Sequence, residues 1–316
     1  MRLRKALVVG LNDYEAAPLE GCVNDAVKME TILTKNGDGS PNFHVKHILG
    51  SSKRKELRQA IEELFEGEND VALFYFSGHG LVKSTGGYIV TTDAESYDEG
   101  VSMEEIIKYA NKSRTRDKII ILDCCHSGNM AVTNTEQDQA ISQLSDNLTV
   151  LTSSRGHEFS MEEDGSGVFT SLLLDALEGG AADLRGNVTP GSVYSYIDEA
   201  LGAWEQRPVF KTNVSRFTSL RQVTPLIPLE TLMNITKYFE DPTQEIALDP
   251  SFEDTEPGHN PDNVKIFKDL QKFVSKGLVV PVGEEHMYYA AMNSTSCKLT
   301  ALGYQYWRLV NENKLY

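Results

Sequence analysis

The sequence predicts an α/β fold, a mostly parallel sheet with helices on both faces, followed by a small α+β appendix. Three observations carry this. Between residue 5 and about 220, short apolar runs alternate with amphipathic stretches, the pattern of βαβ units. The 316 residues are 40% hydrophobic, enough to bury a sizeable core. Past Val223 the texture changes, and Pro225 and Pro228 mark a boundary, so residues 1–222 are expected to form one domain and 223–316 another.

The first strand is expected over Ala6 to Asn12. The preceding Met1-Arg2-Leu3-Arg4-Lys5 is basic, like the start of an export signal. The apolar run Ala6 to Val9 is nevertheless too short for export or for spanning a membrane, because it ends at Gly10. A helix follows over Val23 to Lys35, with Val23, Val27 and Ile32 along one side and Asn36-Gly37 as its stop. Val45 to Leu49 reads as a strand, and Lys53 to Phe65 as a helix turning Leu57, Ile61, Leu64 and Phe65 inward. Strands are expected over 71–77, 118–124 and Leu148 to Ser153, and helices over Gly167 to Leu177 and Gly191 to Trp204. Asn129 to Gln143 is polar and Arg155 to Ser166 charged. Neither is periodic, so both read as loops after strand ends, where binding and gating reside and where the first invites nicking.

In the second domain, Leu229 to Phe239 reads as a helix and Asp241 to Asn260 as an acidic, Pro-bearing loop. Asn263 to Ser275 carries Val264, Phe267, Leu270 and Phe273 at helical spacing, with Gly277 as its stop. Leu278 to Val282 and His286 to Met292 are expected to form a hairpin around Gly283. A last helix, Leu302 to Val310, is expected to bury Tyr306 or Trp307.

Two of the strands run straight into reactive residues. Phe74-Tyr75-Phe76-Ser77-Gly78-His79-Gly80 delivers a histidine, and Ile121-Leu122-Asp123-Cys124-Cys125-His126-Ser127-Gly128 delivers a cysteine 46 residues later. Carboxyl ends of neighbouring parallel strands share one crevice, so the two can meet there, as a cysteine hydrolase requires. Side chains at i and i+2 face one way, which groups Ser77 with His79 and Asp123 with Cys125 and turns Cys124 into the packing. Singly, a histidine after a strand is an ordinary turn residue and a buried cysteine a small hydrophobe; the pair with its flanking glycines carries the reading.

Composition limits the partners. A net charge of −16 opposes general nucleic-acid binding and favours basic partners. Four cysteines at 22, 124, 125 and 297 give no disulfide framework, and the adjacent pair cannot bridge without strain, so a reducing, cytoplasmic setting is expected.

The His-Gly motif, the Asp-x-Cys-His-Ser-Gly motif, Gly21-Cys22-Val23-Asn24-Asp25-Ala26 and Gly167-Val168-Phe169-Thr170-Ser171 together resemble the caspase-like peptidases, and metacaspases most. The resemblance covers roughly residues 5–220. It implies a caspase-like fold in which Cys125 is the nucleophile, His79 its proton-transfer partner, and the backbone N–H groups of Gly80 and Cys125 the oxyanion donors. It also places Asp25 and Asp123 in the first specificity pocket, completed by Cys22 and Ser77. Two carboxylates there call for a cation, so cleavage is expected after Arg or Lys. A helix cap is the plainer role for Asp25. Metacaspases often require calcium, for which Asp93, Glu95, Asp98 and Glu99 offer oxygen ligands without a clean match. The second domain resembles a winged helix. With eight Lys and Arg against thirteen Asp and Glu it suits autoinhibition, or protein docking that couples the chain to an upstream activator, better than DNA binding. The expected activity is that of a regulated cysteine endopeptidase on protein or peptide substrates. The competing reading is a catalytically silent adaptor working through its acidic tail.

Overall fold

The computed structural model describes residues 3–95, 98–124, 144–153, 162–163, 166–201 and 207–315. It divides into two compact units, Met1–Val223 and Thr224–Tyr316. The expected loop 129–143, most of 155–166 and the end of the helix expected to reach Trp204 lie outside the described residues.

The first unit is built on a six-stranded sheet. Its strands are β1 (Arg4–Leu11), β2 (His44–Gly50), β3 (Val71–Ser77), β7 (Asp117–Asp123), β8 (Leu148–Thr152) and β9 (Val209–Asn213), in the order β9-β8-β7-β3-β1-β2. All pair in parallel except β9, which runs antiparallel on β8. Between β3 and β7 a separate antiparallel sheet intervenes, β4 (Gly80–Lys83), β5 (Gly86–Glu95) and β6 (Asp98–Ser102).

Helices α1 (Cys22–Thr34), α2 (Arg54–Phe65), α3 (Met103–Lys112), α4 (Val168–Asp175) and α5 (Pro190–Ala200) cover the two faces. The central strands β3 and β7 are buried along their whole length, as strands covered on both sides must be. Alternation sorts their side chains. Leu7, Val9, Phe74, Phe76, Ile120 and Leu122 pack with Leu57 and Ile61 of α2 and Ile106 and Ile107 of α3. Ala6, Val8, Leu73, Tyr75, Ile119 and Ile121 pack with Met29 and Leu33 of α1, Leu173 of α4 and Val193 and Ile197 of α5.

The second unit comprises α6 (Leu229–Met233), α7 (Ile235–Tyr238), β10 (Glu245–Ala247), α8 (Pro261–Ser275), β11 (Val279–Val282), α9 (Met287–Met292), β12 (Ser296–Leu299) and α10 (Ala301–Asn311). Its antiparallel sheet has the order β10-β12-β11. The expected hairpin is corrected here: Val279–Val282 pairs with Ser296–Leu299, and 287–292 is helical. Met287, Ala290 and Ala291 are buried at i, i+3 and i+4 while Tyr288 and Tyr289 are exposed, a helical spacing. The expected acidic loop contains β10, and the expected helix 229–239 breaks at Asn234 into α6 and α7. Tyr306 and Trp307 are both only half-buried; the Trp307 indole donates to the Phe239 carbonyl at 2.6 Å.

Candidate active site

The site stands at the carboxyl ends of β1, β3 and β7, where open α/β sheets hold ligands. Register fixes the neighbours: Gly10 pairs with Ser77, and Ser77 with Asp123. The pairing continues one step further through the Gly78 N–H, which donates to the Asp123 carbonyl at 3.3 Å.

His79 follows at once and is half-buried. Its Nε2 lies 2.7 Å from the Ala17 carbonyl oxygen, and its ring lies tilted against the Tyr14 ring with centroids 4.5 Å apart. A carbonyl can only accept, so Nε2–H is the donor in this contact, which leaves Nδ1 as the ring nitrogen that can exchange a proton with a thiol. Ala17 and Tyr14 belong to the loop between β1 and α1. Asn12 holds this loop, donating from Nδ2 to the Glu20 carbonyl at 3.0 Å and accepting from the Val23 N–H at 3.2 Å.

Beneath lies a buried polar group on the α1, α4 side of the sheet. Asp25 and Asp123 are 2% and 6% exposed. The Ser77 hydroxyl donates to Asp25 Oδ2 at 3.4 Å, and the Gly167 N–H approaches the same oxygen at 3.5 Å. Thr170 Oγ1 donates to Asp123 Oδ2 at 2.6 Å and lies 2.6 Å from the Tyr75 hydroxyl. Thr170 has one proton and gives it to the carboxylate, so Tyr75 donates to Thr170 and the chain runs Tyr75 to Thr170 to Asp123. Burial, then the charges of Asp123 and Asp25, push the Tyr75 phenol well above its ordinary range, keeping it protonated as that donor. A Cβ on Gly167 would stand 2.7 Å from Asp123 Oδ2, so glycine leaves that carboxylate its place.

The structure thus brings together Asp25, Ser77 and Asp123, with His79 and Gly80 directly beyond β3 and the buried Cys22 at the start of α1. Asp25 is not the helix cap: Gly21 occupies that position, and the carboxylate faces Ser77 and Gly167. Cys124 is buried among Leu122, Phe76 and their neighbours on the opposite face, as alternation requires. Cys125 lies outside the described residues. Sequence reasoning gives no site role to Tyr14, Ala17, Tyr75 or Thr170: a main-chain carbonyl and aromatic positions that read as core carry no signal of their own, and the Gly167–Ser171 motif contains Thr170 without marking it as a partner of Asp123.

Three of the four acids that offer oxygen ligands for calcium have other partners, and the fourth, Glu95, is exposed. Asp93 accepts from the Arg54 N–H at 2.9 Å and the Thr91 hydroxyl at 2.7 Å, Asp98 pairs with Arg54, and Glu99 with Lys83. Among the described residues no group of three or more His, Cys, Asp or Glu is arranged to hold a metal, so this set does not fit the ion. Nor, among them, is any helix long and apolar enough to cross a membrane.

The model of the caspase domain matches residues 3–300. The chain belongs to the caspase-domain peptidase family. Metacaspase-9 of Arabidopsis thaliana is 29% identical over 157 residues, 43% of this chain and 47% of that protein. A probable protease from a Desulfuromonadales bacterium is 28% identical over 148 residues, 39% of this chain and 18% of the relative. The chain therefore spans less than half the length of these curated relatives. Among solved structures, caspase-1 from Spodoptera frugiperda superposes with a TM-score of 0.50 at 14% identity, over 70% of this chain and 91% of its own. A Geobacter sulfurreducens protein gives 0.52 at 17% identity, over 70% and 99%. At these identities the likeness speaks for the caspase-domain fold, the mostly parallel sheet between helices.

Proposed function

We propose that this caspase-domain protein is a cysteine endopeptidase that cleaves after Arg or Lys with Cys125 and His79. The single observation that supports the reading is the register Ser77 to Asp123, which pairs the strand leading to His79 with the strand preceding Cys125, at a sheet end that holds two buried carboxylates. The Cys125 thiolate attacks the substrate carbonyl carbon and forms a tetrahedral oxyanion. His79 Nδ1 takes up the thiol proton. Collapse of the oxyanion forms the thioester and breaks the C–N bond as that proton passes to the leaving amine. Water then attacks the thioester with His79 as base, breaking the C–S bond, releasing the new carboxylic acid and restoring the thiol.

The Gly80 N–H suits the oxyanion. Val90 N–H donates to the His79 carbonyl, which makes 79 and 90 a hydrogen-bonded pair of the antiparallel ladder. The next pair, Gly80 with Ile89, then exchanges no bonds and its N–H faces away from β5. For the residue before the cut, a guanidinium or ammonium matches the Asp25 and Asp123 carboxylates, with Ser77 and Cys22 as neighbours. Regulation by loop cleavage or by an activator docking on the acidic, winged-helix-like second unit belongs to the same reading, as does a reducing cytoplasmic setting.

The test is a panel of fluorogenic peptides ending in Arg, Lys, Asp or Leu, given to the wild type and to Cys125→Ala, with and without calcium. Turnover after Arg and Lys that vanishes in Cys125→Ala is expected. Faster turnover after Asp, or activity surviving the substitution, refutes it; a cellular effect that persists in Cys125→Ala favours the adaptor.

A further inference from the structure

The pair formed by His79 and Val90 is incomplete. Antiparallel partners of the bonded kind exchange two hydrogen bonds, and here one is direct, from the Val90 N–H to the His79 carbonyl at 2.9 Å. The other is interrupted. The His79 N–H donates instead to the Tyr14 hydroxyl at 3.1 Å, and that hydroxyl donates on to the Val90 carbonyl at 3.1 Å. A side chain from the β1–α1 loop thus stands in the ladder where the chain leaves β3 for the hairpin.

The same residue supports the imidazole through its ring, and its loop neighbour Ala17 receives Nε2–H. Tyr14 is 7% exposed, and burial pushes its phenol well above the ordinary range, so the hydroxyl stays protonated and able to donate and accept at once. A Cβ on Gly78 would lie 2.6 Å from this oxygen, so the turn before His79 is shaped around it.

We infer that Tyr14 is a positioning residue for His79: its hydroxyl fixes the backbone at the histidine and its ring fixes the imidazole plane, so that Nδ1 presents its lone pair to the thiol. This rests on the peptidase reading above. It differs from a plain packing role in acting through one hydroxyl, which Tyr14→Phe removes while keeping the ring.

The experiment measures Tyr14→Phe in two ways. In Arg-peptide turnover, kcat is expected to fall about tenfold with KM little changed, since misplacement of the proton-transfer group affects the chemical step. In amide hydrogen exchange, the His79 N–H is expected to exchange at least about tenfold faster, with the Phe76 and Leu122 amides unaltered. A wild-type kcat, unchanged His79 exchange, or equal acceleration at His79, Phe76 and Leu122 would each overturn the inference, the last by showing general destabilisation. Should the variant not fold, the wild type decides: His79 exchange as fast as in an open loop contradicts the relay. Exchange is also read without substrate, so an inactive wild type would sink the peptidase reading while leaving the Tyr14 contact separately tested.

Discussion

At Gly10 the identity of one residue is fixed by a helix backbone. A Cβ there would stand 2.2 Å from the Cys22 carbonyl oxygen and 2.7 Å from Ala26 Cβ, so only glycine lets β1 approach the start of α1. Gly10→Ala is expected to lower stability by about 1–3 kcal/mol, read as a shifted urea midpoint, because the clash is with backbone that cannot rotate aside. Thr170 is the second such residue. Thr170→Val keeps the shape but leaves the Tyr75 hydroxyl and one Asp123 oxygen without their shared partner, an expected loss of about 1–3 kcal/mol. In Arg-peptide assays the same change is expected to raise KM more than it lowers kcat, since the role proposed for Asp123 is substrate binding. An unchanged KM would detach the carboxylate from the specificity pocket.

Among the elements, α7 and α8 of the second unit are joined by a polar contact in which pH can be read. Asp269 on α8 is buried and accepts from the Tyr238 hydroxyl of α7 at 2.8 Å. Burial first, then the hydrogen bond and charge of Asp269, push the Tyr238 phenol from 10.0 up to about 12. Raised above its unfolded value, the group contributes stability that is complete below pH 10 and is lost as pH rises toward 12. Tyr238→Phe is expected to flatten that alkaline decline in thermal melts of the full chain; an identical decline would show that other groups dominate it. Elements also show how far the sequence was legible. The strands of the main sheet up to Thr152, with α1 and α2, announced themselves because long apolar runs and 3.6-residue stripes are local signals. The hairpin sheet β4 to β6 did not, since Gly80 to Ser102 mixes charges and glycines and its strands pair outside the core sheet. Helix α3 went unread although Met103, Ile106, Ile107 and Ala110 form a buried stripe and Ser102 caps it. Strand β9 is half-exposed at an edge and lacks a full alternation. In the second unit, the turn signal at Gly283 reads as a hairpin with His286 to Met292 as its return strand, while burial of Met287, Ala290 and Ala291 decides for helix. At the site, motifs and the two-residue period reached Asp25, Ser77, His79, Asp123 and the inward Cys124. The supports of the imidazole stayed hidden, because a carbonyl such as that of Ala17 has no sequence signature.

For the molecule as a whole, the net charge of −16 and the buried Asp25 and Asp123 underlie the proposed preference for basic substrates. Encounter with Arg-rich peptides is therefore expected to slow as salt rises, visible as a falling kcat/KM between 50 mM and 500 mM NaCl; salt-independent rates would confine the preference to the pocket. The central claim is that the thiol of Cys125 and the ring of His79 react together above Asp25 and Asp123. The measurement that tests it most directly is mass-spectrometric mapping of the adduct formed by an arginine-based, thiol-directed affinity label. The expected result is a single modification on Cys125, formed faster than with the aspartate-based counterpart and strongly slowed in His79→Ala. Labelling of Cys22 or Cys124 instead, or equal rates with and without the imidazole, would contradict it.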